Sequence, residues 1–326
     1  MATLSMIQAI NQAMLQEMER DPSVVLLGED VGHEGGVFRA TDGLQAKFGK
    51  ERVIDTPLAE ENIIATSVGM AAAGLRPIAE IQFSGFLHLA FDHLVNHAAR
   101  MYWRTRGRWQ MPIVVRTPAQ GGIRALEHHS ESMETFFTHT PGLKCVMPSN
   151  PYDAKGLLVA SIRDGNPVIF LEPTRLYRSA KGEVPEGLYE VPLGVAKVVQ
   201  EGRHVTVVSY GGPMKACIDA SAKAREKGIE CEVIDLRSLS PLDETNEVAK
   251  SVMKTGRLVV VHEAPRTLGI ASEIMARVNE KAFTSLQAPM KRVTGFDVQF
   301  PLARFEDYFV PDSFRVLSAI EETAGY

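Results

Sequence analysis

Short runs of consecutive apolar residues, each stopped by glycine, proline or acids, alternate along the chain with longer stretches whose apolar positions recur every three to four residues. Val24–Gly28, Pro112–Thr117, Leu143–Met147 and Pro167–Glu172 are of the first kind and predict strands buried on both faces of a parallel sheet. Pro77–Phe83 alternates like a strand, and the short run Arg52–Asp55 leads into Thr56-Pro57-Leu58-Ala59-Glu60-Glu61-Asn62. Leu4, Ile7, Ile10, Met14 and Met18 predict an amphipathic helix from the N-terminus onward, and Leu89, Ala90, Leu94, Ala98 and Met101 predict another over 86–104. Ser149-Asn150-Pro151 reads as the start of a helix that runs to about Arg163. The small residues Ala65–Gly74 continue the segment opened by Pro57, which places Glu60 at a strand-to-helix turn.

Periodicity weakens between Tyr177 and Pro192, where charged residues mix with proline and glycine. An inter-domain linker is expected there. A second alternating set follows: a strand over Val205–Ser209, a helix reaching Lys227, a strand over Cys231–Asp235, a helix near 243–254 and a strand over Leu258–Val261. The pattern predicts an α/β protein with an N-terminal parallel-sheet domain over 1–180, a linker over 181–195 and a smaller C-terminal α/β domain over 196–326.

The 326 residues are 45% apolar and 23% charged, enough for two sizeable cores and unlike a disordered or membrane chain. A net charge of -5 without a Lys/Arg cluster argues against nucleic acid as a partner. Cys145, Cys217 and Cys231 are widely spaced, so buried thiols are expected instead of a disulfide framework or thiolate zinc site. With no basic segment ahead of a continuous apolar core at the N-terminus, the chain reads as cytoplasmic.

Candidate chemistry is sparse when each residue is taken alone. Glu60 reads first as favourable charge in an opening helical turn. His93 and His97 have the i,i+4 spacing of zinc ligands, with His88 and Asp92 on the same helix, but Leu94 stands where a metalloprotease would carry its glutamate. A polar helix–helix or subunit interface explains them as well. His128 and His129 point about 100° apart on a helix, so at most one faces a site. Asp164-Gly165-Asn166 reads as a turn. The glycine-rich stretch Gly32–Arg39 lacks a Walker or dinucleotide fingerprint, and no Gly-Asp-Gly with a downstream Asn occurs anywhere. The chain therefore shows no diphosphate site of its own.

Taken together, Leu27–Val31, Gly35–Arg39, Asp55–Glu60, Ala79–Phe83, His129-Ser130 with Phe136-Phe137, Pro151–Leu158, Glu232–Arg237 and His262–Pro265 resemble, in order, the beta subunits of thiamin-diphosphate-dependent 2-oxo acid dehydrogenase components of pyruvate or branched-chain type. The resemblance implies a transketolase-like fold whose N-terminal domain binds the cofactor's pyrimidine. It also implies an α2β2 heterotetramer in which the alpha subunit supplies the Mg2+-diphosphate site, in keeping with the missing motif. Glu60 matches the catalytic glutamate that exchanges a proton with the aminopyrimidine ring. An apolar interface would raise the pKa of such a carboxyl towards the working pH. His129 matches the histidine implicated in acyl transfer to the lipoyl group of the acyltransferase, while Leu58, Gln82 and Phe86 match positions lining the cofactor and substrate pocket. Phe86 stands where branched-chain relatives have tyrosine. Ile113, Ser161, Asp164 and Asn166 match a structural potassium site of some relatives. The C-terminal domain would dock the acyltransferase's basic subunit-binding domain, and five acids against two bases from Arg304 onward have the suitable sign. Other readings are a shortened transketolase-like enzyme, a non-catalytic assembly subunit of the same complex and a zinc hydrolase using His93 and His97.

Overall fold

A computed structural model describes residues 1–326. A seven-stranded sheet runs in the order Ser238–Ser240, Lys144–Val146, Val168–Pro173, Val114–Ala119, Arg76–Glu80, Val24–Gly28, Val53–Asp55. Six of these strands are parallel and the first is antiparallel. A five-stranded sheet in the C-terminal half has the order Lys291–Val293, Leu258–Val261, Val205–Ser209, Cys231–Asp235, Lys197–Gln200, with only the last antiparallel. The alternating α/β reading holds for both halves.

Helices cover both faces of the larger sheet because its strands are apolar on both sides. One face buries Met6, Ile10, Met14 and Met18 of the helix Met6–Arg20, together with Leu157, Leu158 and Ile162 of the helix Pro151–Arg163. Local chemistry starts both helices. Ser5 and Gln8 form a reciprocal capping box, and Asn150 accepts the Asp153 amide at 2.9 Å ahead of Pro151 at the first helical position. On the other face a single apolar cluster runs from Ile63, Ile81 and Leu94 into Tyr210, Ile234 and Val260 of the C-terminal half, so the two halves share a core. Cys145, Cys217 and Cys231 are buried free thiols.

One expectation is corrected, and two strand pairings tie the halves together. The N-terminus opens as a strand, Ala2–Ser5, with Leu4 inside it, and the helix begins only at Met6. Within the expected linker, Lys181–Val184 pairs antiparallel with Ala2–Ser5. Finally, the two halves are interleaved: after Asp235 the chain returns to the larger sheet and adds Ser238–Ser240 at its edge. Arg237 makes that turn at φ 59°, bonding Asp153 at 3.0 Å and the Val195 carbonyl at 2.7 Å.

At the centre of the larger sheet, Arg116 is buried between two carboxylates on flanking strands. It donates to Glu80 at 2.7 Å and, in a two-pronged contact, to Glu172 at 2.7 and 3.0 Å. Tyr177 adds its hydroxyl to Glu172 at 2.5 Å. Burial pushes the Glu80 carboxyl up and Arg116 pulls it down. Removing one partner of a buried charge network strands the rest, so Arg116→Met is expected to cost about 3–5 kcal/mol in denaturant unfolding. A loss within the scatter of surface substitutions would show that burial of the two carboxyls does not depend on Arg116.

Candidate active site

Because the central strands are parallel, their C-terminal ends lie along one edge of the sheet, where ligands of open α/β folds bind. Four consecutive strand ends carry the candidate residues. Val24–Gly28 leads to Glu29, Val53–Asp55 to Leu58 and Glu60, Arg76–Glu80 to Gln82 and Phe86, and Val114–Ala119 to the loop bearing His129.

Glu60 begins the helix Glu60–Ala72, which supplies the favourable field expected there. Its residue is 5% exposed although Leu58, two positions earlier, is 79% exposed. A protected carboxylate thus sits beside an uncovered apolar side chain. Glu29 is also buried; desolvation, then Glu60 and Asp30, hold its carboxyl above the usual range. One of its oxygens has no hydrogen-bond partner within this chain. Sequence analysis assigned Glu29 no role, because its proximity to Glu60 arises only when neighbouring parallel strands align.

His129 faces an aromatic wall. Its ring meets Phe83 edge-on at 4.3 Å and Phe86 at 5.4 Å between centroids, and Phe83 in turn contacts Phe38 at 5.6 Å. Phe83, just past the strand end, was missed as a site residue although its alternation was legible. Gly85 permits the close approach, since a Cβ there would lie 2.4 Å from the His128 carbonyl oxygen. His128 itself is exposed. Nδ1 of His129, the hydroxyl oxygens of Ser130 and Ser132, and that of Thr56 beside Leu58 are buried without partners. Buried polar atoms are seldom left unpaired, and their concentration here fits a polar ligand or a covering surface supplied from outside this chain.

The structure therefore joins Phe86 with His129 and Glu60 with Glu29 along one sheet edge, with Gln82 half-buried between the Arg76–Glu80 strand and the aromatic wall. Carboxylate, amide, imidazole and aromatic faces suit an aminopyrimidine, which offers ring nitrogens, an exocyclic amine and a flat face.

Ile113, Ser161, Asp164 and Asn166 gather at the opposite, N-terminal edge, around the turn before Val168–Pro173. Lys144 already pairs with the Asp164 carboxylate at 2.5 Å, and Arg76 donates to the Asp164 carbonyl at 3.1 Å. His93 and His97 do converge with Asp92, their ligand atoms lying within 4.8 Å of one another, on a π-helical turn over His93–Ala98. Glu61 also reaches His93 at 3.4 Å.

Two family models cover the chain: transketolase, pyrimidine-binding domain, over residues 2–180, and transketolase, C-terminal domain, over 194–316. A split-gene transketolase described as an inactive β4 tetramer superimposes with a TM-score of 0.80 at 22% identity, over 99% of this chain and 98% of that one, which shows the fold. The fold and sheet-edge site define a transketolase-like protein. Among named relatives, the beta subunit of the pyruvate dehydrogenase E1 component of Acholeplasma laidlawii is 52% identical over 99% of both chains. Its Bacillus subtilis counterpart is 46% identical over the full length of both. The mitochondrial 2-oxoisovalerate dehydrogenase beta subunit of Dictyostelium discoideum is 47% identical over 99% of this chain and 87% of that protein. The chain belongs to the family of 2-oxo acid dehydrogenase E1 beta subunits, of pyruvate or branched-chain type. That membership sets aside the zinc-hydrolase and shortened-transketolase readings. No helix is long and apolar enough to cross a membrane.

Glu29 supplies a test of the acidic pair. A carboxyl whose pKa is raised on folding leaves stability intact below its unfolded pKa, near 4.5, and costs stability as pH rises through the folded value. Glu29→Gln removes that cost, so the variant's gain in Tm over the wild type should grow as pH rises above about 4.5. A pH-independent difference would mean that folding does not raise the Glu29 carboxyl.

Proposed function

We propose that this chain is the half of a 2-oxo acid dehydrogenase that holds the pyrimidine end of thiamin diphosphate, and that Glu60 and His129 are its catalytic residues. The observation that carries the reading is Glu60: a protected carboxylate at a helix N-terminus, on the sheet edge that also presents Gln82, Phe86 and His129. Bound thiamin diphosphate supplies an electron sink for decarboxylation of the 2-oxo acid, pyruvate or a branched-chain analogue. Glu60 accepts and returns a proton at the pyrimidine ring nitrogen, a role for which a buried carboxyl is suited. Phe86 offers the flat apolar face, Gln82 an amide for the polar rim, and Leu58 an apolar contact at the open side of the site. His129, with Nδ1 unpaired and its ring braced by Phe83 and Phe86, holds or moves a proton beside the acyl group during transfer to a lipoyl group.

The diphosphate and its Mg2+ are assigned to an alpha subunit in an α2β2 assembly. The exposed Leu58 and the partnerless polar atoms at Thr56, Ser130 and Ser132 support a covering partner. The lipoyl acyltransferase is the second partner, reached through the C-terminal domain. Of the five acids counted there, Asp307 pairs with Arg124, Glu321 with Lys227 and Glu322 with Lys291, and Asp312 caps the helix Ser313–Ala324. Charge alone is therefore a weak attraction for a basic partner. No part of the proposal uses a potassium ion.

In the assembled enzyme, Glu60→Gln is expected to keep the fold and lose on the order of 10²- to 10⁴-fold in turnover with an artificial electron acceptor. Turnover close to the wild type would remove Glu60 from the mechanism and favour a non-catalytic assembly subunit. His129→Ala should impair reductive acylation of a lipoyl domain more than acceptor reduction. Equal losses in the two assays would contradict its place in acyl transfer.

A further inference from the structure

The loop from Gln120 to Ser132 that carries His129 leaves the sheet after Ala119 and has no helix or strand to stiffen its first half. The N-terminal domain secures its ends. Gln120, at φ 66°, donates its amide to the Glu131 carbonyl at 3.1 Å and so closes the loop; Thr174 donates its hydroxyl to the Gln120 carbonyl at 3.0 Å, and Ser84 donates to the Glu131 carbonyl at 3.0 Å. Between those ends the C-terminal domain adds acceptors for two backbone amides. The Gly121 amide donates to Glu263 at 2.5 Å and the Arg124 amide to Glu306 at 3.1 Å. Both carboxylates are buried, and Glu263 is fully so. Phe300 lies over Gly121 so closely that a Cβ there would come within 2.3 Å of its ring.

Two buried carboxylates spent on backbone amides of one loop are costly unless the placement of that loop matters. The nearest cation to Glu263 is Arg175 at 3.5 Å, too long for a strong ionic hydrogen bond, and the Glu263 oxygen facing it has no hydrogen-bond partner. Arg175 instead donates its Nε to the Gly121 carbonyl at 3.2 Å, on the far side of the same residue. Burial pushes the Glu263 carboxyl up to about 7, and it accepts the Gly121 amide in either protonation state.

We infer that Glu263, seconded by Glu306, is a positioning residue for His129: the C-terminal domain fixes the course of the active-site loop through carboxylate acceptors on the Gly121 and Arg124 amides. The inference rests on the role assigned to His129 above. It gives the shared core of the two domains a chemical consequence, because loosening the C-terminal half would misplace an imidazole on the N-terminal half.

The test uses the enzyme assembled with its alpha subunit. Glu263→Met keeps the volume and removes the acceptor, whereas Glu263→Gln keeps an oxygen for the Gly121 amide. Glu263→Met is expected to speed hydrogen exchange over 120–132 and lower lipoyl acylation by about 10- to 100-fold, the scale of a displacement near 1 Å. Acceptor reduction should fall less, and Glu263→Gln should recover most of the loss. Unchanged loop exchange, an unchanged ratio of the two rates, or equal damage from Glu263→Gln would each overturn the inference. If Glu263→Met fails to assemble, Glu306→Leu applies the same criteria at the Arg124 amide. Normal acylation in His129→Ala would sink the role of His129, while loop exchange in the Glu263 variants still decides whether the latch exists.

Discussion

The Arg116 guanidinium, buried between Glu80 and Glu172, is the interaction on which the rest of the molecule depends. It ties together the three central strands Arg76–Glu80, Val114–Ala119 and Val168–Pro173, and a one-residue slip of any of them would leave a charge stranded in the sheet. Each of those strands ends within a few residues of the site. The first delivers Gln82, Phe83 and Phe86, the second the His129 loop, and the third Thr174 and Arg175, which grip that loop from below. The ionic triad thereby sets the register on which the geometry of the site rests.

Glu60 belongs to a different arrangement, after the edge strand, where it opens a helix beside Glu29. The helix N-terminus suits an acidic side chain, and Glu60 in turn helps hold the Glu29 carboxyl above its usual range, after desolvation. Leu58 beside it is exposed, as the proposed cover by an alpha subunit requires.

The interleaving of the two halves ties the C-terminal domain to the candidate site. Arg237 and the strand Ser238–Ser240 lock it to the larger sheet, a continuous apolar cluster crosses the junction, and Glu263 and Glu306 reach the active-site loop. Domain contact and loop placement therefore share the same side chains.

The sequence by itself determined the alternation of strands and helices, the strand-to-helix turn that sets Glu60 at a helix N-terminus and the absence of a diphosphate motif. Each is a local property, written in apolar runs, caps and turn residues that are neighbours along the chain. It also carried the family blocks that singled out Glu60 and His129. Tertiary structure alone decided that Lys181–Val184 pairs with Ala2–Ser5, that Ser238–Ser240 crosses to the other sheet, that Glu29 stands beside Glu60 and that Glu263 grips the loop of His129. The physical reason is separation in sequence: Gly121 and Glu263 lie 142 residues apart, and nothing in the local periodicity of either says that a carboxylate will meet that amide. Strand ends bring them together only once the parallel register and the shared core have formed.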